Sequence, residues 1–154
     1  IGQASVQATP LMMAMVAATV ANKGEQMTPY LVSRILDPDL NEVSSTSTKV
    51  ARTPIDSATA SSLSSLMQTA VAEGTGTSAQ VSGVQVAGKT GTAETGTDSG
   101  PTTWFVGFAG TDIDKPEIAL AVVLDGNAET EDGATGGKIA GPVAAQVIDA
   151  AVNQ

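Results

Sequence analysis

Histidine and cysteine are both absent from this chain of 154 residues. Their absence excludes a Ser-His-Asp triad, a cysteine nucleophile, a His/Cys zinc site and every disulfide. A nucleophile working here needs another base, lysine or a carboxylate. Aromatic residues are scarce as well: Tyr30, Trp104, Phe105 and Phe108 leave little for a stacking surface. Basic side chains number 7 against 16 acidic ones, a formal charge of −9. A surface of that sign repels phosphate backbones and argues against nucleic acid as a partner. Long apolar runs are missing too. The longest, Leu11 to Ala21, is eleven residues, whereas a bilayer needs about 20. No basic region precedes it, so nothing at the amino end reads as a signal peptide. The chain opens on Ile1 rather than Met; the expectation is a piece of a longer protein, and the missing signal says little about that protein's location.

What is present points to a packed domain. Apolar residues make up 42% and charged residues only 15%, too apolar and too weakly charged for a disordered chain. The length suits one domain. Thr9-Pro10 opens a first helix, with Thr9 as N-cap and Pro10 in the first turn. Leu11, Met12, Met15, Val16 and Val20 cover most of its circumference, which predicts a largely buried helix with methionines as core filler. Asn22-Lys23-Gly24 stops it. A strand is expected over Tyr30 to Leu36, a turn at Asp37-Pro38-Asp39, and a return strand from Glu42 fading by Lys49. A second helix begins at Asp56 and runs to Ala72 or Glu73, with Ala60, Leu63, Met67, Ala70 and Val71 at helical spacing. Gly74-Thr75-Gly76-Thr77 breaks it; no Gly-Lys-Ser or Gly-Lys-Thr follows, so it reads as a turn and not a phosphate cradle. Strands follow over Val84 to Glu94, Thr103 to Ala109 and Ile118 to Leu124, with a polar loop over Gly96 to Pro101. The last two strands are apolar on both faces and call for helices on either side; the short connections favour antiparallel pairing. A final helix covers Ile139 to Val152 with Ile139, Val143, Val147 and Ala151 on one stripe. The fold class is therefore mixed α/β of the α+β kind, an antiparallel sheet covered by helices.

The chemical signal is Lys89-Thr90-Gly91-Thr92. Chance places Lys-Thr-Gly in roughly 3% of chains this long, so the tripeptide alone is weak. On a strand, Thr90 and Thr92 share a face. Two hydroxyls beside an ammonium suit a carboxylate. Gly91 lets a ligand approach the backbone, and an outward N–H on an edge strand can stabilise an oxyanion. The plainer reading is an ordinary exposed edge strand, where Lys and Thr are common. Other candidates read as structure. Asp125, Glu129, Glu131 and Asp132 lack calcium-loop spacing and form an acidic solvated loop. Ser61, Ser62, Ser64 and Ser65 have no lysine near enough in sequence to activate them, and Glu94 is a solvated strand end.

In its order of motifs the chain resembles the carboxy-terminal part of the transpeptidase domain of penicillin-binding proteins, class B, of actinobacterial type. The resemblance spans nearly the whole chain. Ile1-Gly2-Gln3, Ala8-Thr9-Pro10-Leu11 and Met15 to Gly24 are similar to the family's helix ahead of its carboxy-terminal half. Gly74-Thr75-Gly76 resembles its glycine turn before the active-site strand, and Ala87 to Glu94 its third catalytic motif with flanks. Trp104-Phe105-Val106-Gly107-Phe108 and Ile118 to Val123 resemble the last two strands of a five-stranded sheet whose final strand is flanked by the domain's first.

The departure is in the other two motifs. Three residues before the lysines stand Val20, Thr46, Val86, Asp112 and Thr135, so no S-x-x-K is present. Two residues before the asparagines stand Val20, Asp39, Asp125 and Ala151, so no S-x-N is present either. The expectation is that residues 1–154 form the later part of one transpeptidase domain and depend on its missing amino-terminal part. For the whole, the resemblance implies a serine acyl-enzyme that attacks the D-Ala-D-Ala bond of a peptidoglycan stem peptide and passes the acyl group to an amine. It implies acylation by beta-lactams and no metal or organic cofactor. It also implies action at the outer face of the bacterial plasma membrane, reached through an anchor outside this chain. Lys89 would supply charge near the serines, Thr90 and Thr92 would hold the substrate carboxylate, Gly91 would keep the strand open, and the Thr92 N–H would form half of the oxyanion hole. Two alternatives stay open: a D,D-carboxypeptidase or beta-lactamase that hands the acyl group to water, and a non-catalytic module that binds peptide along the strand edge.

Overall fold

The structure, a computed structural model, describes residues 6–94, 100–126 and 133–153. Helix α1 runs over Pro10–Ala21, and the Thr9 side chain accepts from the Met12 N–H at 3.1 Å, as an N-cap should. The Gly24 N–H closes the other end on the Thr19 carbonyl at 2.8 Å. Gly24 is required there: its φ is +98°, and a Cβ would stand 2.2 Å from the Ile55 carbonyl oxygen. Helix α2, Ser57–Ala72, starts from the Asp56 carboxylate, which accepts from the Thr59 N–H at 2.7 Å.

Between these helices lies an arm. At its base β1 (Gln26–Met27) pairs with β4 (Val50–Arg52); at its tip β2 (Arg34–Leu36) pairs with β3 (Glu42–Ser45). The strand expected over Tyr30 to Leu36 is thus confined to its last three residues, and β1 and β4 are additions. The side chains of β2, β3 and β4 are exposed. With no core to lean on, the arm relies on its turn. The Asp37 carboxylate accepts from the Asp39 and Asn41 N–H groups at 2.9 Å and from the Asn41 side-chain amide at 3.0 Å.

The central sheet has the order β5 (Gln85–Ala93), β6 (Thr102–Gly110), β7 (Ile118–Leu124), antiparallel throughout. Helices α1 and α2 cover one face, where Ala17, Val20, Ala87 and Phe108 pack together. Helix α3, Ala140–Val152, covers the other, where Val86, Phe105, Ala109, Leu120, Ala144 and Ile148 meet. Phe105 and Phe108 leave β6 on opposite faces, so each layer has one fully buried ring, contributing about 1.5–3 kcal/mol by burial.

Two expectations about helix faces are corrected. Leu11, Met12 and Val16 of α1 are exposed; its buried side chains are Ala17, Thr19 and Val20. Among the described residues α1 packs on the sheet, β1 and α2, and it is Ala17, Thr19 and Val20 that meet them closely enough to be buried. On α3, the buried stripe is Ala140, Gly141, Ala144 and Ile148, while Ile139, Val143 and Val147 stand partly outside. Small residues let the helix settle close against the sheet, so the bulkier neighbours face away. The loop expected over Gly96 to Pro101 lies mostly outside the described residues, as do Glu129, Glu131 and Asp132 of the acidic loop.

Candidate active site

Among the described residues β5 is an edge strand, with β6 as its one neighbour in the sheet. The register sets Lys89 opposite Val106, Thr90 opposite Phe105, Gly91 opposite Trp104 and Thr92 opposite Thr103. Alternation then divides the motif between two faces. Thr90 and Thr92 share the face that carries α3, and Lys89 and Gly91 share the face toward α1 and α2. The Lys89 ammonium bends back along the strand and donates to the Thr90 carbonyl at 2.8 Å.

On the Lys89 side lies a groove of about 540 Å³ bounded by β5, α1 and α2. Met13, Val16, Leu63, Met67 and Trp104 give it apolar walls, and Lys89 to Ala93 form its polar rail. A cation and a row of backbone groups beside an apolar wall suit an extended peptide or a small organic acid whose carboxylate meets the polar rail.

The opposite face of β5 is backed by two turns. The Gly136 N–H donates to Thr92 Oγ1 at 3.2 Å. The hydroxyls of Thr75 and Thr90 lie 2.6 Å apart. Gly136 has no room for a side chain: a Cβ would stand 2.4 Å from the Trp104 carbonyl oxygen and 2.5 Å from that of Gly91. The turn before α3 thus presses directly on the backbone of the motif. Lys89, Thr90, Gly91 and Thr92 are the residues singled out from sequence; Thr75 stands there only as part of a glycine turn, and Gly136 is not singled out. The paired glycines at 136–137, placed just before a helix, were the available signal for Gly136. Glu94 is exposed beyond the end of β5. Among the described residues, no cluster of three acidic side chains is arranged to hold a metal ion.

Lys-Thr-Gly on the edge of an antiparallel sheet between helices is one of the three motifs that mark the penicillin-recognising serine enzymes. More narrowly, the chain belongs to the penicillin binding protein transpeptidase domain family, whose model matches residues 1–149. It is 40% identical over 157 aligned positions to the peptidoglycan D,D-transpeptidase PbpA of Mycolicibacterium smegmatis, covering 100% of this chain and 31% of that protein. It is 41% identical to the PbpA of Mycobacterium tuberculosis, covering 99% of this chain and 31% of that protein. Among solved structures, the ceftriaxone acyl-enzyme complex of M. tuberculosis penicillin-binding protein A superposes with a TM-score of 0.85 at 40% identity, covering 98% of this chain and 34% of that one. A D,D-transpeptidase domain from Eggerthella lenta superposes with a TM-score of 0.74 at 34% identity, covering 93% of this chain and 33% of that one. The chain therefore spans about a third of the length of the relatives it matches. The helices and antiparallel sheet are the expected α+β arrangement, in the fold of these enzymes.

Proposed function

We propose that this chain provides the substrate-holding strand of a peptidoglycan D,D-transpeptidase, with the nucleophilic serine contributed by residues outside these 154. The observation that carries the reading is the open edge of β5, where Lys-Thr-Gly-Thr borders an apolar groove. It is supported by relatives named as D,D-transpeptidases and by solved acyl-enzyme complexes of penicillin-binding protein A.

On this reading a stem peptide ending in D-Ala-D-Ala lies along β5. Thr90 and Thr92 hydroxyls donate to its terminal carboxylate. The Thr90 carbonyl takes the Lys89 ammonium. The Thr92 N–H meets the oxygen that becomes negative as the serine oxygen bonds to the scissile carbonyl carbon. The C–N bond then breaks, D-Ala leaves with the proton on its amine, and the acyl group passes from serine to an acceptor amine. Lys89 stabilises negative charge near the nucleophilic serine. A beta-lactam enters the same way, its ring C–N bond breaking without loss of the leaving group. The site of action is the outer face of the plasma membrane; among the described residues no helix is long and apolar enough to cross one.

The test is product analysis with the complete protein, a stem-peptide donor and an amine acceptor. The acyl–amine product is expected; release of the hydrolysed acid alone would indicate a carboxypeptidase or beta-lactamase instead. The same protein carrying Lys89→Ala should acylate slowly with a beta-lactam, and wild-type rates would favour a passive peptide-binding strand. Intact-mass measurement of residues 1–154 alone should show no beta-lactam adduct, since the chain has no S-x-x-K. A single-site adduct would overturn the assignment of the serine to another segment.

A further inference from the structure

The short contact behind β5 assigns a role to a residue outside the Lys-Thr-Gly motif. Thr75 Oγ1 and Thr90 Oγ1 are 2.6 Å apart, at the short end for hydroxyls. Thr75 is fifteen residues upstream, in the turn that follows α2. Its side chain is exposed, yet its backbone is held firmly. The Gly76 N–H donates to the Ala70 carbonyl at 3.0 Å, and the Ala79 N–H to the Gly76 carbonyl at 2.9 Å. The Gln80 amide donates to the Val71 carbonyl at 2.9 Å. The Ser78 hydroxyl donates to the Gly137 carbonyl. Gly137 packs on the Thr75 carbonyl oxygen, where a Cβ would come within 2.3 Å. Thr75 therefore stands on a support tied to α2 on one side and to the turn before α3 on the other.

Two hydroxyls this close share one proton between their oxygens. Were it Thr90's own proton, Thr90 would turn only lone pairs to the substrate and repel a carboxylate. For Thr90 to donate forward, the shared proton must come from Thr75. We propose that Thr75 is a positioning residue: its hydroxyl donates to Thr90 Oγ1 and so directs the Thr90 proton to the carboxylate of the bound peptide or beta-lactam. This rests on the reading of Thr90 as a carboxylate-holding residue. Donation from behind also polarises Thr90, because hydroxyls in series strengthen one another.

The test uses the complete protein and measures second-order acylation by benzylpenicillin and by its methyl ester, which has no ionised carboxylate. Melting curves accompany each variant. Thr75→Val should slow reaction with the free acid about two- to tenfold and affect the ester less, so the acid-to-ester rate ratio falls. Thr75→Ser should restore the ratio. In a Thr90→Val background, adding Thr75→Val should leave the ratio where it is, since Thr75 acts through Thr90. An unchanged ratio in folded Thr75→Val, beside a lowered ratio in Thr90→Val, overturns the role of Thr75 and leaves that of Thr90 standing. An unchanged ratio in Thr90→Val overturns both. If Thr75→Val is unfolded at the assay temperature, Thr75→Ala is judged by the same ratio.

Discussion

The ring of Phe105 lies directly over Gly88, where a Cβ would stand 2.2 Å from Cζ. The ring, seated opposite Thr90 in the register, crosses diagonally to the pair formed by Gly88 and Gly107. The missing side chain at position 88 is thus what lets the largest residue of the α3-side core sit flat on the motif strand.

Gly88→Ala is therefore expected to destabilise the fold by about 1–3 kcal/mol, the usual effect of forcing a methyl into a filled core. Phe105 is fully buried, so the ring cannot swing out to solvent without losing its burial. Thermal unfolding of Gly88→Ala, Phe105→Leu and the double variant checks this. The smaller Leu makes room, so the two losses should combine to less than their sum; plain additivity would show that the contact is not where the strain falls.

A second prediction concerns pH. The Thr59 backbone N–H, bonded to the Asp56 carboxylate at the start of α2, holds that carboxyl below its ordinary value of 3.8. The charged form is the one the fold favours. Its contribution is complete above the unfolded value and is lost as pH falls through the lowered folded one. Asp56→Asn keeps a capping oxygen and loses the titration. Acid unfolding followed by circular dichroism should show the wild type losing its advantage over Asp56→Asn at pH values below 3.8. Parallel curves down to full protonation would remove Asp56 from the account.

The boundaries of α1 and α2 were legible because each carries its own punctuation: Thr9-Pro10 and Gly24 for one, Asp56 and Gly74 for the other. Of the central strands, β6 and β7 were legible from their apolar runs and β5 from its alternation. Burial of helix faces was not, because apolarity names the residues that can be buried and the partner surface decides which are. Val143 and Val147 are more apolar in bulk than Ala140 and Ala144, and it is the alanines that face the sheet. β1 and β4 were too short to show a period. At the candidate site, the motif itself was legible and its backing was not. Nothing in the spacing of Thr75 or Gly136 points to β5; only the fold brings the turn after α2 and the turn before α3 to the same two threonines.

The free side of β7 gives a third prediction. Among the described residues β7 is hydrogen-bonded to β6 alone, and it runs Ile-Ala-Leu-Ala-Val-Val-Leu without a charge. An apolar edge of this kind invites another strand. Residues 1–154 on their own should elute from size-exclusion chromatography at a size that grows with concentration. A stable monomer across the concentration range would show that the edge is covered by some other means.

The last prediction separates holding the substrate from holding the site together. Thr92→Val removes a hydroxyl that is expected to meet the substrate carboxylate, a contact to a charged group contributing roughly 1.5–3 kcal/mol. In the complete protein that is about ten- to a hundredfold in acylation rate if the bond is made in the transition state. The same substitution takes the acceptor from the Gly136 N–H, so part of any loss arises from the turn before α3. Thr92→Ser keeps both partners and should retain most of the rate and the melting temperature. Lys89→Ala is the cleaner variant. Its side chain is exposed and, among the described residues, donates to the carbonyl of the next residue, so stability should barely change while acylation falls further than in Thr92→Val, because charge is removed where charge develops. Second-order acylation by a beta-lactam, beside melting curves for all three variants, decides the matter. A Thr92→Val loss that tracks its loss of melting temperature, with Lys89→Ala reacting at the wild-type rate, would reduce this strand to a structural edge. A rate lost in well-folded Lys89→Ala places the ammonium in the acylation step.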